Sequence, residues 1–294
     1  MSNVWLITGS SRGLGRALAE AVLAAGHRLV ATARSPDDLR DLVARYGSSI
    51  RAVALDVTDP AAARAAVGVA VSAFGRLDDV VNNAGYANVS SIEDVAEDDF
   101  RRQSETNFFG VVNVTRAALP ILREQRGGHI IQISSIGGRG ATPGLASYQS
   151  AKWAVGGFSE VLAKEVRPLG IRVTVVEPGG MRTDWSGSSM RIDPIRSEYE
   201  QTVGALQLSH RANDDVMRGD PAKVAQAILR VAAEQEPPLR LLIGSDAVFL
   251  AGVFASRRAE EDAKWTALSV STDADGLPAF SETPVAKMLT ATQV

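Results

Sequence analysis

The first thirty residues already restrict the fold. "NVWLIT" (residues 3–8) is short and apolar, and it runs straight into "GSSRGLG" and then "LGRALAEAVLAAG" (14–26). An apolar run of this length, closed by glycine, suits a strand buried on both faces. The next segment is rich in Ala and Leu, sets Leu14, Leu18, Val22 and Ala25 on one face and stops at Gly26. That is the pattern of an amphipathic helix with its C-terminal signal. "RLVATA" (28–33) reads as a second strand. The alternation continues, with strands expected near 50–55, 78–82, 129–134, 171–177 and 239–243. Helices are expected near 37–46, 60–74, 98–125, 147–167 and 221–235. Strands alternating with helices are joined by right-handed crossovers, so the expected class is α/β: a doubly wound parallel β-sheet of about seven strands flanked by helices.

No linker and no internal repeat divides the chain, and one domain over residues 1–265 is expected. Residues 181–219 break the rhythm with Ser, Arg, Asp and Gly among isolated apolar residues (Trp185, Met190, Ile192, Ile195, Tyr199, Leu206, Leu208). An insertion of this length between a strand and a helix reads as a functional lid over a substrate or as a partly disordered stretch. The segment 266–294 has little periodicity and reads as a C-terminal arm or tail. A net charge of −3 offers no basic surface for nucleic acid. There is no cysteine, hence no thiolate metal site. His27, His129 and His210 are far apart and read as surface or loop residues, so no metal is expected. No apolar run approaches the ~18 residues that span a bilayer, and the N-terminus lacks a charged n-region. A soluble cytoplasmic protein is the default expectation.

In "TGSSRGLG" (8–15), Gly9, Gly13 and Gly15 follow the first strand with the spacing G-x-x-x-G-x-G. Gly9 allows a sharp exit from the strand, Gly13 lets backbone approach a pyrophosphate, and Gly15 lets the helix pack closely on the sheet. The helix N-terminus offers free N–H groups to the phosphates. A dinucleotide site of the Rossmann type is the expectation, formed here by Gly9, Ser11, Arg12, Gly13, Leu14 and Gly15. The second strand ends Ala31-Thr32-Ala33-Arg34, with no acid to hold two ribose hydroxyls. Arg34, with Arg12 from the loop, suits a 2′-phosphate instead. NADP is therefore favoured over NAD.

"SYQSAKW" (147–153) places Tyr148 and Lys152 four residues apart, and only five of the 31 basic residues are lysines. On spacing alone such a pair is more often a solvated face, the lysine stem lying over the ring.

Together "TGSSRGLG", "LDVTD" (55–59), "NNAG" (82–85), "TN" (106–107), "ISS" (133–135), "YQSAK" (148–152) and "EPGGMRT" (177–183) resemble the short-chain dehydrogenases/reductases, in that family's order and spacing. The match covers roughly residues 3–180. The resemblance implies that Tyr148 is the general acid or base and that Lys152 binds the nicotinamide ribose beside it. It further implies that Ser135 hydrogen-bonds the substrate oxygen and that Asn107 holds a water linking Lys152 to solvent. Asp56 and Val57 would contact adenine, and Asn83, Ala84 and Gly85 would support the cofactor. Pro178, Gly179 and Thr183 would bracket the nicotinamide. A tyrosine is ordinarily half-ionised near pH 10; a nearby ammonium would favour the phenolate.

The expected activity is NADP(H)-dependent interconversion of a ketone or aldehyde and an alcohol, with a small carbonyl or alcohol as partner. Leu145, Trp185 and Met190 suggest an apolar substrate, the alternative being that Trp185 and Met190 only pack the lid, and the 168–185 run is similar to the hydroxysteroid and retinol dehydrogenase branch and its bacterial relatives. The alternative is a non-catalytic NADP(H)-binding redox sensor. The resemblance also implies a homodimer or homotetramer paired through the helices near 98–125 and 147–167.

Overall fold

The computed structural model describes residues 2–183, 190–205 and 217–291. Two compact units divide the chain, Met1–Ala251 and Gly252–Val294. The first holds seven parallel strands in the order β3-β2-β1-β4-β5-β6-β7. They are β1 (Val4–Ile7), β2 (Arg28–Ala33), β3 (Ile50–Ala54), β4 (Asp79–Asn82), β5 (Gly128–Ile133), β6 (Ile171–Pro178) and β7 (Arg240–Ile243). The order reverses between β1 and β4, which opens a crevice at the C-terminal edge of the sheet. The Rossmann-type doubly wound sheet expected from the alternation is the one formed.

Two cores cover the sheet, sorted by the alternation of side chains along each strand. On one face Trp5 and Ile7 pack with Leu14, Leu18 and Val22 of α1 (Gly13–Ala24) and Leu42 of α2 (Arg40–Tyr46). On the other, Val4 and Leu6 pack with Ala63, Ala66 and Val67 of α3 (Pro60–Phe74). α3 starts at an Asp59-Pro60 pair whose carboxylate accepts from the Ala61 and Ala62 N–H groups, a cap worth about 1 kcal/mol.

The helix expected over 98–125 is interrupted. α4 (Glu97–Ser104) and α5 (Gly110–Gln125) are joined by a π-helical turn, Glu105–Phe109, that carries Asn107. Two more helices cover the sheet: α6 (Ala146–Val166) joins the core of α3 through Leu162 and Val166, and α7 (Pro221–Ala233) joins that of α1 through Val224, Ala225 and Ile228. The long α8 (Ser245–Val270), absent from the sequence expectation, starts in the first unit and continues past residue 265. Its polar and apolar residues are mixed around the axis, so the sequence shows no single apolar stripe. The second unit also contains α9 (Pro284–Ala291) and exposes Trp265, Leu268, Phe280 and Met288.

His129 corrects the reading of the histidines as surface or loop residues. It lies in β5, is fully buried and has Nε2 2.9 Å from Thr174 Oγ1. Burial pulls its pKa down to about 3, so the ring is neutral in the core. His27 is half-buried and its Nδ1 accepts from the Asn3 N–H; His210 lies outside the described residues. No helix among the described residues is long and apolar enough to cross a membrane.

Candidate active site

Every residue of the expected site that follows a strand lies at the C-terminal edge of the sheet. β1 delivers the glycine loop, β2 Arg34, β3 Asp56, β4 the Asn83–Gly85 turn, β5 Ser135 and β6 Pro178. Parallel strands make this automatic, because all of them end on the same side.

The glycine loop turns through Gly9 (φ +66°) and Gly13 (φ +55°), both in the left-handed region. A Cβ on Gly15 would fall inside the Gly9 carbonyl oxygen and 2.5 Å from Asn83 Nδ2. Its close contact is thus with the loop and the Asn83 turn, rather than with the sheet as the sequence suggested. Asn83 Nδ2 donates to the carbonyls of Thr8 (3.0 Å) and Gly9 (3.1 Å), and Thr8 Oγ1 accepts from the Asn83 and Ala84 N–H groups. The Asn83 turn therefore braces the glycine loop. The first N–H groups of α1 receive no side-chain cap from Arg12, so they are open to an anionic partner. Leu14 is buried under the helix, Ser11 is half-buried, and Thr183 lies 3.7 Å from where a Cβ of Gly13 would stand.

In the glycine loop and just past the end of β2, Arg12 and Arg34 are exposed and take part in no salt bridge among the described residues. In the segment after Arg34, Asp41 pairs with Arg16 and Asp37 with Arg40. The Ser10 N–H donates to the Thr32 carbonyl (2.8 Å), which sets the loop beside the end of β2. Asp56 is exposed, with one carboxylate oxygen accepting from the Thr58 N–H and hydroxyl. Val57 is buried against the start of α5; a Cβ on Gly110 would meet its Cγ2 at 2.5 Å.

The end of the cleft nearest α6 is buried. Tyr148 and Lys152 are both buried, on the face of α6 turned to the sheet. Lys152 Nζ donates to the Ile133 carbonyl (2.7 Å) and stands 5.6 Å from the centroid of the Tyr148 ring. Burial pushes the Tyr148 pKa up to about 12, partly offset by a hydrogen bond from Ser135. Burial likewise pulls the Lys152 pKa down to about 8. The expected lowering of the phenol by the ammonium does not appear. The ammonium faces a backbone carbonyl, and desolvation of the phenolate dominates.

Asn107 is fully buried and its side chain is committed. Nδ2 donates to the carbonyls of Tyr86 (2.8 Å) and Gln103 (2.9 Å), and Oδ1 accepts from the Tyr86 N–H (3.0 Å). A Cβ on Gly85 would meet Asn107 Oδ1 at 2.5 Å and Lys152 Nζ at 3.6 Å, so the three sit together. The Ser135 loop is pressed onto α6. Cβ atoms on Gly137 and Gly138 would meet Gln149 Nε2 at 2.9 Å and the Lys152 carbonyl at 3.0 Å. Gln149 also bonds Thr142 from both ends of its amide.

Sequence reasoning missed Thr8, Gln103, Gln149 and Asp246. The Asp246 carboxylate accepts from the Gly180 N–H (2.8 Å) and fills the space where a Gly179 Cβ would lie. Only the i, i+4 spacing of Gln103 and Asn107 was a signal in the sequence.

Beside Tyr148, Ala87, Val89, Leu145 and Val203 form a buried apolar cluster with Met190, Ile192, Ile195 and Tyr199 packed against it. Residues 190–205 of the segment expected to be a lid thus reach Tyr148. Trp185, Leu206 and Leu208 lie outside the described residues.

The short chain dehydrogenase family model matches residues 3–191. An oxidoreductase of Botryotinia fuckeliana, BOA17, is 53% identical over 272 residues, covering 92% of this chain and 99% of that protein. A short-chain dehydrogenase from Streptomyces avermitilis superposes with a TM-score of 0.87 at 38% identity, covering 93% of this chain and all of that one. An alcohol dehydrogenase from Thermococcus sibiricus, solved with 5-hydroxy-NADP, superposes with a TM-score of 0.67 at 25% identity over 83% of this chain and 96% of that one.

Proposed function

Because the chain belongs to the short-chain dehydrogenase family and is an oxidoreductase of that family, we propose that it interconverts a ketone or aldehyde and the corresponding alcohol with NADP(H). The observation that carries the reading is the buried Tyr148, held by Ser135 and flanked by Lys152, at the edge where the glycine loop opens. Supporting NADP over NAD are the exposed guanidiniums of Arg12 and Arg34, which form no salt bridge among the described residues. The uncapped start of α1 and the positive φ of Gly9 and Gly13 fit a pyrophosphate. When bound, the nicotinamide supplies or accepts the hydride at the substrate carbon.

The chain's own residues handle the proton and the orientation. Tyr148 Oη donates a proton to the carbonyl oxygen in reduction and takes one from the alcohol in oxidation. With its pKa raised to about 12 it is a phenol at neutral pH, as a free tyrosine also is, and that is the form reduction requires. Ser135 holds the substrate oxygen beside Tyr148. Lys152, near its own titration point, donates to the nicotinamide ribose and resupplies the proton. Asn107 fixes the Tyr86 backbone next to Lys152, on the route to solvent. Pro178, Gly179 and Thr183 bracket the nicotinamide, and Asp56 and Val57 border the adenine. The apolar cluster around Tyr148 favours an apolar substrate. The exposed Phe109, Trp153 and Val161 support pairing of two copies through the π turn and α6.

The test is NADPH oxidation by the purified protein over a panel of ketones, aldehydes and quinones, with Tyr148→Phe alongside. Turnover in the wild type that falls by roughly 10²–10⁴ in the variant is the expected result. Equal turnover in both would remove Tyr148 from the chemistry.

A further inference from the structure

Glu177, the last residue before Pro178, is a carboxylate with no exposure at all. The buried positions before it in β6 include Val173, Val175 and Val176, and a further valine would avoid the desolvation of a charge. What the carboxylate adds is direction, because its two oxygens bind different elements. Oε2 accepts from Arg139, whose Nε is 2.8 Å and Nη2 2.6 Å away. Arg139 follows the turn Ile136–Gly138 that leaves Ser135. Oε1 accepts from Arg240 Nη1 of β7 (2.5 Å), and Arg240 Nε donates to Glu160 of α6 (2.8 Å).

A glycine explains how Arg240 reaches this position. A Cβ on Gly156 would stand 2.8 Å from Arg240 Nη2, so the interior of α6 is left open where the guanidinium lies. Glycine inside a helix costs about 1 kcal/mol relative to alanine, and here the helix gains an ionic tie to β7. Three catalytic elements therefore meet at one buried charge: the Ser135 loop, the helix of Tyr148 and Lys152, and the turn Pro178–Gly180.

We propose that Glu177 is a positioning residue that, through Arg139 and Arg240, fixes the Ser135 loop and α6 against the nicotinamide turn. The assignment rests on the catalytic reading above, but its geometric part can be measured without turnover. The Gly137 N–H donates to Ser135 Oγ (3.0 Å) and reports on that loop by hydrogen exchange.

The experiment compares Arg139→Met, Arg139→Lys and Glu177→Gln with the wild type. In the unliganded protein, Arg139→Met should raise exchange roughly tenfold over residues 134–140 while β1 and α1 keep their protection. Its kcat should fall roughly ten- to hundredfold with NADPH affinity held within about twofold. In a Ser135→Ala background the same substitution should cost nothing further, since both act through one hydroxyl. Arg139→Lys should recover part of the loss. Unchanged exchange at 134–140, or a kcat loss that adds in full to that of Ser135→Ala, would overturn the proposal. If Glu177→Gln fails to fold, the Arg139 pair decides alone. If the wild type turns over no substrate, the catalytic reading falls, while the exchange result still decides whether the tie holds the loop.

Discussion

Burial moves Tyr148 and Lys152 in opposite directions along the pH axis, and the lysine shift has a measurable thermodynamic consequence. Lys152 titrates at about 8 in the folded chain against an ordinary 10.5. Between these values the unfolded chain binds the proton and the folded chain does not, so stability from this group is present above pH 10.5 and lost as pH falls through 8. The gap corresponds to about 3 kcal/mol at most. Lys152→Met should therefore gain stability relative to the wild type on going from pH 10 to pH 7, by up to about 3 kcal/mol. Urea unfolding at the two pH values checks this, and an unchanged difference would mean that the ammonium is solvated.

At the scale of elements, two helices are shaped by their site rather than by regular propensity. α4 and α5 would form one helix without the turn at Glu105–Phe109. A π turn inserts one extra residue into the helical path, a distortion found mostly at functional sites, and here it brings Asn107 against Tyr86 and Gly85. α1 begins at an uncapped glycine beside the end of β2, with Arg12 and Arg34 at the two approaches. If Arg34 reads a 2′-phosphate, Arg34→Ala should weaken NADPH binding roughly ten- to hundredfold, the loss of one charge-assisted hydrogen bond. NADH should change by less than about twofold. Fluorescence titration with both cofactors distinguishes this from equal losses, which would reject the assignment.

In the first unit as a whole, ion pairs fasten residues 191–196, part of the segment expected to be a lid, to residues 93–99. Arg191 reaches Asp99 and Asp193, and Arg196 reaches Glu93 and Asp94. Backbone bonds between Val89 and both Arg191 and Asp193 run alongside. Asp99 is itself buried and accepts from Asn88 and Gln103, so the latch continues towards Asn107. Exposed ion pairs are screened by salt. Tryptic cleavage after Arg191 and Arg196 should be slowed by NADPH and hastened by raising salt to about 0.5 M. Cleavage indifferent to NADPH would count against a lid.

The seven strands and their parallel pairing were legible because they depend on local pattern, and local pattern is also what proposed the site residues. Apolar runs ended by glycine, the G-x-x-x-G-x-G spacing and the Tyr148–Lys152 interval each occupy a few residues, and parallel strands bring their C-terminal ends to one edge. Tertiary structure decided what depends on neighbours distant in the chain. It placed His129 in the core, because Thr174, 45 residues on, supplies its partner. It made Gly156 a space for Arg240, turned Asp246 back onto Gly180, and gave the buried Glu177 two arginines from different elements. It also raised the Tyr148 pKa where sequence proximity to a lysine suggested the reverse. Titration follows the loss of water around a group, and burial is a property of the packed fold rather than of spacing along the chain.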